Sequence, residues 1–463
     1  MDEGSLYYAV VENEAEKLES LLEQGGNVNE FYEDTMNIST KSLLHVCCGK
    51  GHVECLKVLI NHGAQLTVRD KWGQTPLMYS VSIQFPEIAK ILLEADPELV
   101  LCQDRYGKSS LHLAVDTGNE EIVRLLLEHG ADVNVRCHEG LTPLMYCCTP
   151  DPDGMRVGVL KLLLESGAAI ALKDHRGKRS ALHIAVISGN VVAVEILIAA
   201  GADVNEIDKT LRTPLTHAIS YGVRGPVVNE VFMRIIMLLV SAGAELNVRV
   251  SESCNPLLTS ALLKSDTLVK YFLSLGADCN IKFSSGVTPS LVCASNGDLA
   301  TLKPLIYHNC DLTIKGNVYK RKWRLEFILD TFELAYMEGY LDLCTLMIRS
   351  GYPVSTLRHV FARDLAETEE NTAVQLDFME HPHLTLCNSP RLPPDFRETL
   401  KWFLEVASNP RSLRDEAVRF PSEDLNFFSE DFDNFTLSLV RTGFIKLDNT
   451  GHIFLIASTI NTF

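Results

Sequence analysis

Apolar residues arrive along this chain in short paired bursts. In the stretch 109–130, Leu111 and Ala114 form one burst and Ile122, Val123, Leu125, Leu126 and Leu127 form the next, with Gly118 between them and Gly130 after them. That spacing describes two short amphipathic helices joined by a tight turn. Ser109 stands where the first helix needs a cap, and Ala114 is small where the paired helices must approach. Gly118 supplies a positive φ at the turn, and Gly130 ends the second helix. The pattern opens at Ser42, Thr75, Ser109 and Thr142, at intervals of 33 or 34 residues, and again at Ser180, Thr213, Asn255, Thr288 and, in degraded form, Asp330. An N-terminal stretch from Tyr7 to Asn29 has the helices without the opening phrase and reads as a cap. The chain is therefore expected to be a stack of about nine or ten helix pairs rather than a set of independent globular domains.

The opening phrases are Ser42-Leu43-Leu44-His45, Thr75-Pro76-Leu77-Met78, Ser109-Ser110-Leu111-His112 and Thr142-Pro143-Leu144-Met145. A T-P-L-H-x-A phrase at this period resembles the ankyrin repeat, a β-turn followed by two antiparallel helices, over about three quarters of the chain. The implied fold is an all-α ankyrin-repeat solenoid, with a small helical C-terminal segment and a β-hairpin tail. His45, His112 and His183 share the slot in which the family's histidine bonds the cap hydroxyl, which makes them structural. Ala131-Asp132-Val133-Asn134 leads toward the next repeat and recurs as Ala202-Asp203-Val204-Asn205, Ala244-Glu245-Leu246-Asn247 and Ala277-Asp278-Cys279-Asn280. Intervals stretch to 38 residues after Thr142 and to 42 after Thr213 and Thr288. The added length is expected in loops at 149–154, 222–226 and 315–324.

Composition narrows the functional classes. Hydrophobic content of 46% with 8% aromatic suits a core of small aliphatic residues on short helices. A net charge of -18 repels nucleic acid and anionic membrane surfaces on average, and favours a basic or neutral protein partner. The only dense basic run, Lys320-Arg321-Lys322-Trp323-Arg324, reads as a solvated hairpin tip, too small for a nucleic-acid groove. The 13 cysteines, among them Cys47, Cys147 and Cys293 at the small-residue slot, read as reduced core thiols. No stretch approaches the apolar length of a membrane span, and the N-terminus lacks a leader pattern, so the expected compartment is the cytoplasm, with the nucleus as a second location.

Catalytic and cofactor signatures are missing from the sequence, among them nucleotide loops, zinc-protease helices and nucleophile elbows. His381, His383 and Cys387 offer ligand types without a full metal set and read as loop. No enzyme, cofactor or metal site is predicted. Binding is expected instead, because ankyrin arrays engage proteins through a concave surface of hairpin tips and first helices. Its candidate residues here are Lys71, Trp72, Arg105, Tyr106, His138, Glu139, His175, Arg176, Lys209 and Thr210. Trp, Tyr and Arg dominate the first of these, and they are the types that most often anchor protein interfaces.

Residues 1–352 are assigned to the array, 353–391 to a linker, 392–420 to a helical segment and 421–463 to a tail of its own kind. Pro393 to Val406 has the spacing of a short amphipathic helix, and Gly443 to Ile456 that of a lone hairpin. Asn409-Pro410-Arg411-Ser412-Leu413, directly after an ankyrin array, resembles the start of the SOCS box of ankyrin-repeat and SOCS-box proteins. That resemblance implies a substrate receptor for a cullin-RING ubiquitin ligase, with Leu413 and Ala417 inserting into elongin C of an elongin B/C pair. The chain then departs from the family: Pro421 would stop the helix within about two turns, and no later L-P-x-P phrase for a cullin follows. The runner-up is an ankyrin scaffold that works without a ligase.

Overall fold

A computed structural model describes residues 5–33, 40–150, 154–224, 227–249, 255–283, 286–320, 325–354, 357, 396–408, 445–447 and 453–455. Ten helix pairs follow one another. They are α1/α2 (Leu6–Val11, Ala15–Glu23), α3/α4 (Leu43–Lys50, Val53–Asn61), α5/α6 (Pro76–Ser82, Pro86–Ala95), α7/α8 (Ser110–Thr117, Glu120–Glu128) and α9/α10 (Pro143–Cys147, Val157–Glu165). Then come α11/α12 (Ala181–Ile187, Val191–Ala199), α13/α14 (Pro214–Gly222, Glu230–Ser241), α15/α16 (Pro256–Leu262, Asp266–Ser274), α17/α18 (Pro289–Asn296, Leu299–Tyr307) and α19/α20 (Thr331–Glu338, Leu341–Arg349). The chain divides into two compact units, residues 1–222 with 229–244, and residues 223–228 with 245–463. In the first unit α3 packs on α5, α5 on α7 and α7 on α9, while in the second α15 packs on α17 and α17 on α19.

Helices of five to twelve residues are too short to persist alone in water, so each depends on its caps and its neighbours. Thr75, Thr142, Asn255 and Thr288 hold extended backbone and accept the N–H three residues on. Proline follows each of them at the first helical position, where its missing N–H is one that the helix would leave unused. The degraded phrase at Asp330 is well formed: its carboxylate accepts the Glu333 N–H at 2.9 Å, and Glu333 returns the bond to the Asp330 N–H at 3.0 Å.

Burial follows the helical period more strictly than the apolar pattern does. On α8, Ile122, Val123 and Leu126 are fully buried, each such side chain contributing about 2 kcal/mol. Leu125 and Leu127, also expected in the core, are only partly covered, because they flank the stripe rather than lie on it. Cys47, Cys147 and Cys293 are buried free thiols, and burial pushes the Cys293 thiol well up.

The stretched intervals are not all loop. After Thr142 the added residues fall between α9 and α10. After Thr213, α14 lengthens to 12 residues and Val223–Arg224 pairs with Val227–Val228. After Thr288 they form a hairpin, Gly316–Lys320 against Leu325–Leu329, whose backbone groups satisfy one another in a five-pair ladder. Arg321 to Arg324 lie outside the described residues. A further short hairpin pairs Phe31–Glu33 with Thr40–Ser42. Beyond the last pair, α21 (Phe396–Ser408) packs on α20 with Phe403, Val406 and Ala407 buried, and Ile445–Leu447 pairs with Ile453–Leu455 as the expected tail hairpin. Phe403 lies 6.3 Å from Phe332, and the Arg349 guanidinium sits 5.7 Å from the Trp402 ring centre.

Candidate protein-binding surface

Four tips between repeats of the first unit are built on buried carboxylates, and Cys137 holds that place in a fifth. Asp70 Oδ1 accepts the N–H groups of Trp72 and Gln74 at 2.9 and 2.8 Å, and Asp104 Oδ1 accepts those of Tyr106 and Lys108 at 2.8 Å each. Asp174 and Asp208 do the same for Gly177 and Arg179, and for Thr210 and Arg212. Each carboxylate fixes its turn from inside and pushes the next two side chains outward.

Adjacent tips are then joined by backbone. Arg105 N–H donates to Trp72 O at 2.9 Å, His138 N–H to Tyr106 O at 2.9 Å, His175 N–H to Glu139 O at 2.8 Å and Lys209 N–H to Gly177 O at 2.7 Å. The tip glycines make this approach feasible. A Cβ on Gly107, whose φ is +75°, would lie 2.7 Å from His138 N, and one on Gly140 would lie 2.7 Å from His175 N. A second row of straps runs beside the first: Gln103 Nε2 reaches Arg136 O at 3.1 Å, Arg136 reaches Lys173 O at 3.2 Å and Lys173 Nζ reaches Ile207 O at 3.3 Å. No motif announces these straps; their signal is a long donor just before the buried tip residue, Asp104, Cys137 or Asp174.

The histidine slot adds a third tie. His112 Nδ1 lies 3.0 Å from Ser109 Oγ and 3.2 Å from Ser109 N, and Nε2 lies 3.1 Å from Leu141 O of the following repeat. Because a carbonyl can only accept, Nε2 carries the proton and Nδ1 accepts from the cap. His45 and His183 repeat the arrangement with Gln74 O and Arg212 O. Burial keeps all three neutral, lowering the His183 pKa to about 4. The Asn of the A-D-V-N phrase is a fourth tie, since Asn134 Oδ1 accepts Ala169 N–H at 2.8 Å and Asn280 Oδ1 accepts Asp311 N–H at 2.7 Å.

Turns pinned to a buried Asp at residues 70, 104, 174 and 208, histidines bonded forward into the next repeat at 45, 112 and 183, and paired helices recur along the first unit. The family described as ankyrin repeats matches three times, over residues 6–101, 97–174 and 153–231. This chain carries ankyrin repeats. Human inversin is 28% identical over 195 residues, 42% of this chain and 18% of inversin. The human transient receptor potential cation channel subfamily A member 1 is 24% identical over 322 residues, 68% of this chain and 28% of the channel. The chicken nuclear factor NF-kappa-B p105 subunit is 30% identical over 222 residues, 46% of this chain and 21% of that protein. The chain thus spans less than a third of the length of each. Ankyrin repeats are protein–protein interaction modules.

Of the ten candidate residues on the ankyrin tips, nine are exposed and Lys71 is half-buried, its Nζ lying 4.3 Å from the centre of the Trp72 ring. Trp72 is 37% exposed and Tyr106 60%, so neither is needed by the core. Arg176 pairs with Glu139 of the preceding tip at 3.3 Å. His138 and His175 rest their rings against Gly107 and Gly140, so part of each is spent on the stack, and the Thr210 hydroxyl turns back to Asp208 at 2.7 Å. Leu413, Ala417, His381, His383 and Cys387 lie outside the described residues.

The first helices of the array add a feature that no motif signalled. Tyr7, Tyr32, Lys41, Lys50, Tyr79 and Ile83 line a pocket of about 330 Å³ in the first unit. The Tyr79 hydroxyl donates to Asp70 Oδ2 at 3.0 Å, which ties this pocket to the Trp72 tip. Lys41 Nζ lies 5.2 Å from the Tyr79 ring centre. Among the described residues no cluster of three or more His, Cys, Asp or Glu could hold a metal ion, and no helix is long and apolar enough to cross a membrane.

Proposed function

We propose that this ankyrin-repeat chain recognises a partner protein through the tips and first helices of its first unit and performs no chemistry of its own. One observation carries the reading: a backbone ladder holds Trp72, Arg105, Tyr106, His138, Glu139, His175, Arg176, Lys209 and Thr210 as successive outward residues in one row. A row fixed by main chain is pre-organised, so a partner that binds it bears little of the cost of ordering it. The test is partner capture by the full chain against Trp72→Ala/Tyr106→Ala. Capture should fall at least tenfold with the melting temperature unchanged; unchanged capture would place the site elsewhere.

A finer reading makes the chain a substrate-recognition adaptor of an elongin/cullin-RING ligase, working in the cytoplasm or nucleus. Its support is positional. α21 docks on the last helix pair of the second unit, and Pro410-Arg411-Ser412-Leu413 follows it directly. In this reading the array concentrates a substrate lysine near recruited enzymes. Recombinant elongin B and elongin C should bind the full chain, and Leu413→Ala should abolish binding. Equal retention of both chains on control resin would leave the ligase-independent scaffold as the function.

A further inference from the structure

The net charge of the chain points toward a basic or neutral partner, but the binding row carries the opposite sign. Eleven of the 42 lysines and arginines fall within the 32 residues of five tips, 69–74, 103–108, 136–141, 173–179 and 206–212, beside only six acids. Four of those acids, Asp70, Asp104, Asp174 and Asp208, are buried beneath the tips with their oxygens taken up by N–H groups. A fifth, Glu139, is paired with Arg176, and the sixth, Glu206, is paired with Lys173 at 2.8 Å. Asp116, on the first helix α7, lies 3.8 Å from Lys108. Further exposed acids of this unit sit on second helices, as with Glu16, Glu19 and Glu23 on α2 and Glu120, Glu121 and Glu128 on α8. Among the described residues, the pocket bounded by Tyr7, Tyr32 and Tyr79 is lined by two lysines, Lys41 and Lys50, and by no carboxylate.

We propose that this face takes an acidic, extended segment of another protein, its carboxylates along the Lys71–Arg105–Lys209 row and an apolar or aromatic side chain in the Tyr7/Tyr79 pocket. The inference rests on the first unit's face being the binding surface and adds the chemistry of what binds. Cations presented by a fixed backbone attract carboxylates without reordering, and aromatic rings beside them supply apolar contact area. The acidic faces of α2 and α8 turn the same chain's charge into discrimination, because an acidic segment is repelled there and attracted at the tips.

The experiment is selection of a displayed library of 16-residue peptides on the immobilised full chain, with Lys71→Glu/Arg105→Glu/Lys209→Glu and Trp72→Ala/Tyr106→Ala as parallel baits. The expected pool is rich in Asp and Glu with one or two large apolar residues. A synthetic peptide from it should lose at least tenfold in affinity on the charge-reversed bait and at least tenfold between 50 and 300 mM salt on the native chain, as screening of several ion pairs requires. A neutral or basic pool, or an acidic one that binds the charge-reversed chain equally well, overturns the proposal. The aromatic bait separates the two levels: a non-acidic pool that it loses keeps the binding face and removes the acidic partner. A pool that binds it unchanged, or no pool at all, removes both.

Discussion

Asp208 and Asp330 are both 4% exposed, each at the start of a repeat, yet they are pushed in opposite directions. Burial alone would raise both. At Asp208, in the first unit, burial is outweighed by the Thr210 hydroxyl, the Arg212 and Thr210 N–H groups and His217 Nε2 at 2.9 Å, which together hold the carboxyl at about 2. Asp330, in the second unit, has the Glu333 N–H and the Tyr352 hydroxyl at 2.7 Å, but the Glu333 carboxylate stands beside it, and burial raises it to about 6. The number and sign of the neighbours, not the depth, decide whether a buried acid anchors a repeat as an anion or strains it.

Removing the anchored acid should cost most. Asp208→Ala leaves the tip N–H groups and the His217 imidazole without their acceptor, and about 4 kcal/mol should be lost from the first unit in urea titrations followed by Trp72 fluorescence. A loss below 1 kcal/mol would mean that water replaces the carboxylate and that the comparison fails. The tip backbone is tested next. Gly107→Ala and Gly130→Ala both place a Cβ at positive φ, but only the first meets a neighbouring tip, since nothing lies within 4 Å at Gly130. The expected losses are about 3 kcal/mol and about 1 kcal/mol, and equal losses would show that the tips are not in contact in solution.

The strained acid gives a smaller, pH-dependent effect. Because the folded pKa of Asp330 is raised, its contribution favours the fold below pH 4 and is lost as pH rises through about 6. The second unit should weaken by about 2 kcal/mol across that window, read by Trp402 fluorescence with Trp72 and Trp323 replaced by Phe, and Asp330→Asn should flatten the slope. Asp208 predicts the reverse, with stability present above pH 4 and lost as pH falls through about 2. Least affected should be Trp72→Ala/Tyr106→Ala, within about 0.5 kcal/mol of the parent, because exposed side chains off the stack carry little stability.

The helix pairs, their caps and their glycines were legible because short-range rules set them: Ser109 caps, Gly118 turns and Ile122, Val123 and Leu126 recur at helical spacing. Most candidate tip residues are exposed for the same reason: apart from His138 and Glu139, which follow Cys137, they follow an Asp that turns inward, and of them Lys71 alone is half-buried. Three things were not legible. At residues 316–329 a hairpin tip could be read from the basic run, but the two strands and their register depend on pairing rather than on composition. The pocket at Tyr7, Tyr32 and Tyr79 gathers residues from separate elements. The reversal of sign at the tips is invisible to a summed charge, because Asp70, Asp104, Asp174 and Asp208 count in the sum and vanish from the surface.

The side-chain straps of the histidine and pre-tip slots point forward along the chain, while the backbone ladder of the tips donates backward. His45, His112 and His183 reach 29 residues forward, Gln103, Arg136 and Lys173 reach 33 to 37 forward, and the asparagines do likewise. Within the first unit, cutting away the following repeat takes Leu141 O from His112 Nε2–H and Arg136 O from Gln103, whereas cutting away the preceding one takes Trp72 O from the Arg105 N–H. The side-chain ties of this unit therefore have a grain, like cut timber, that its tip ladder runs against.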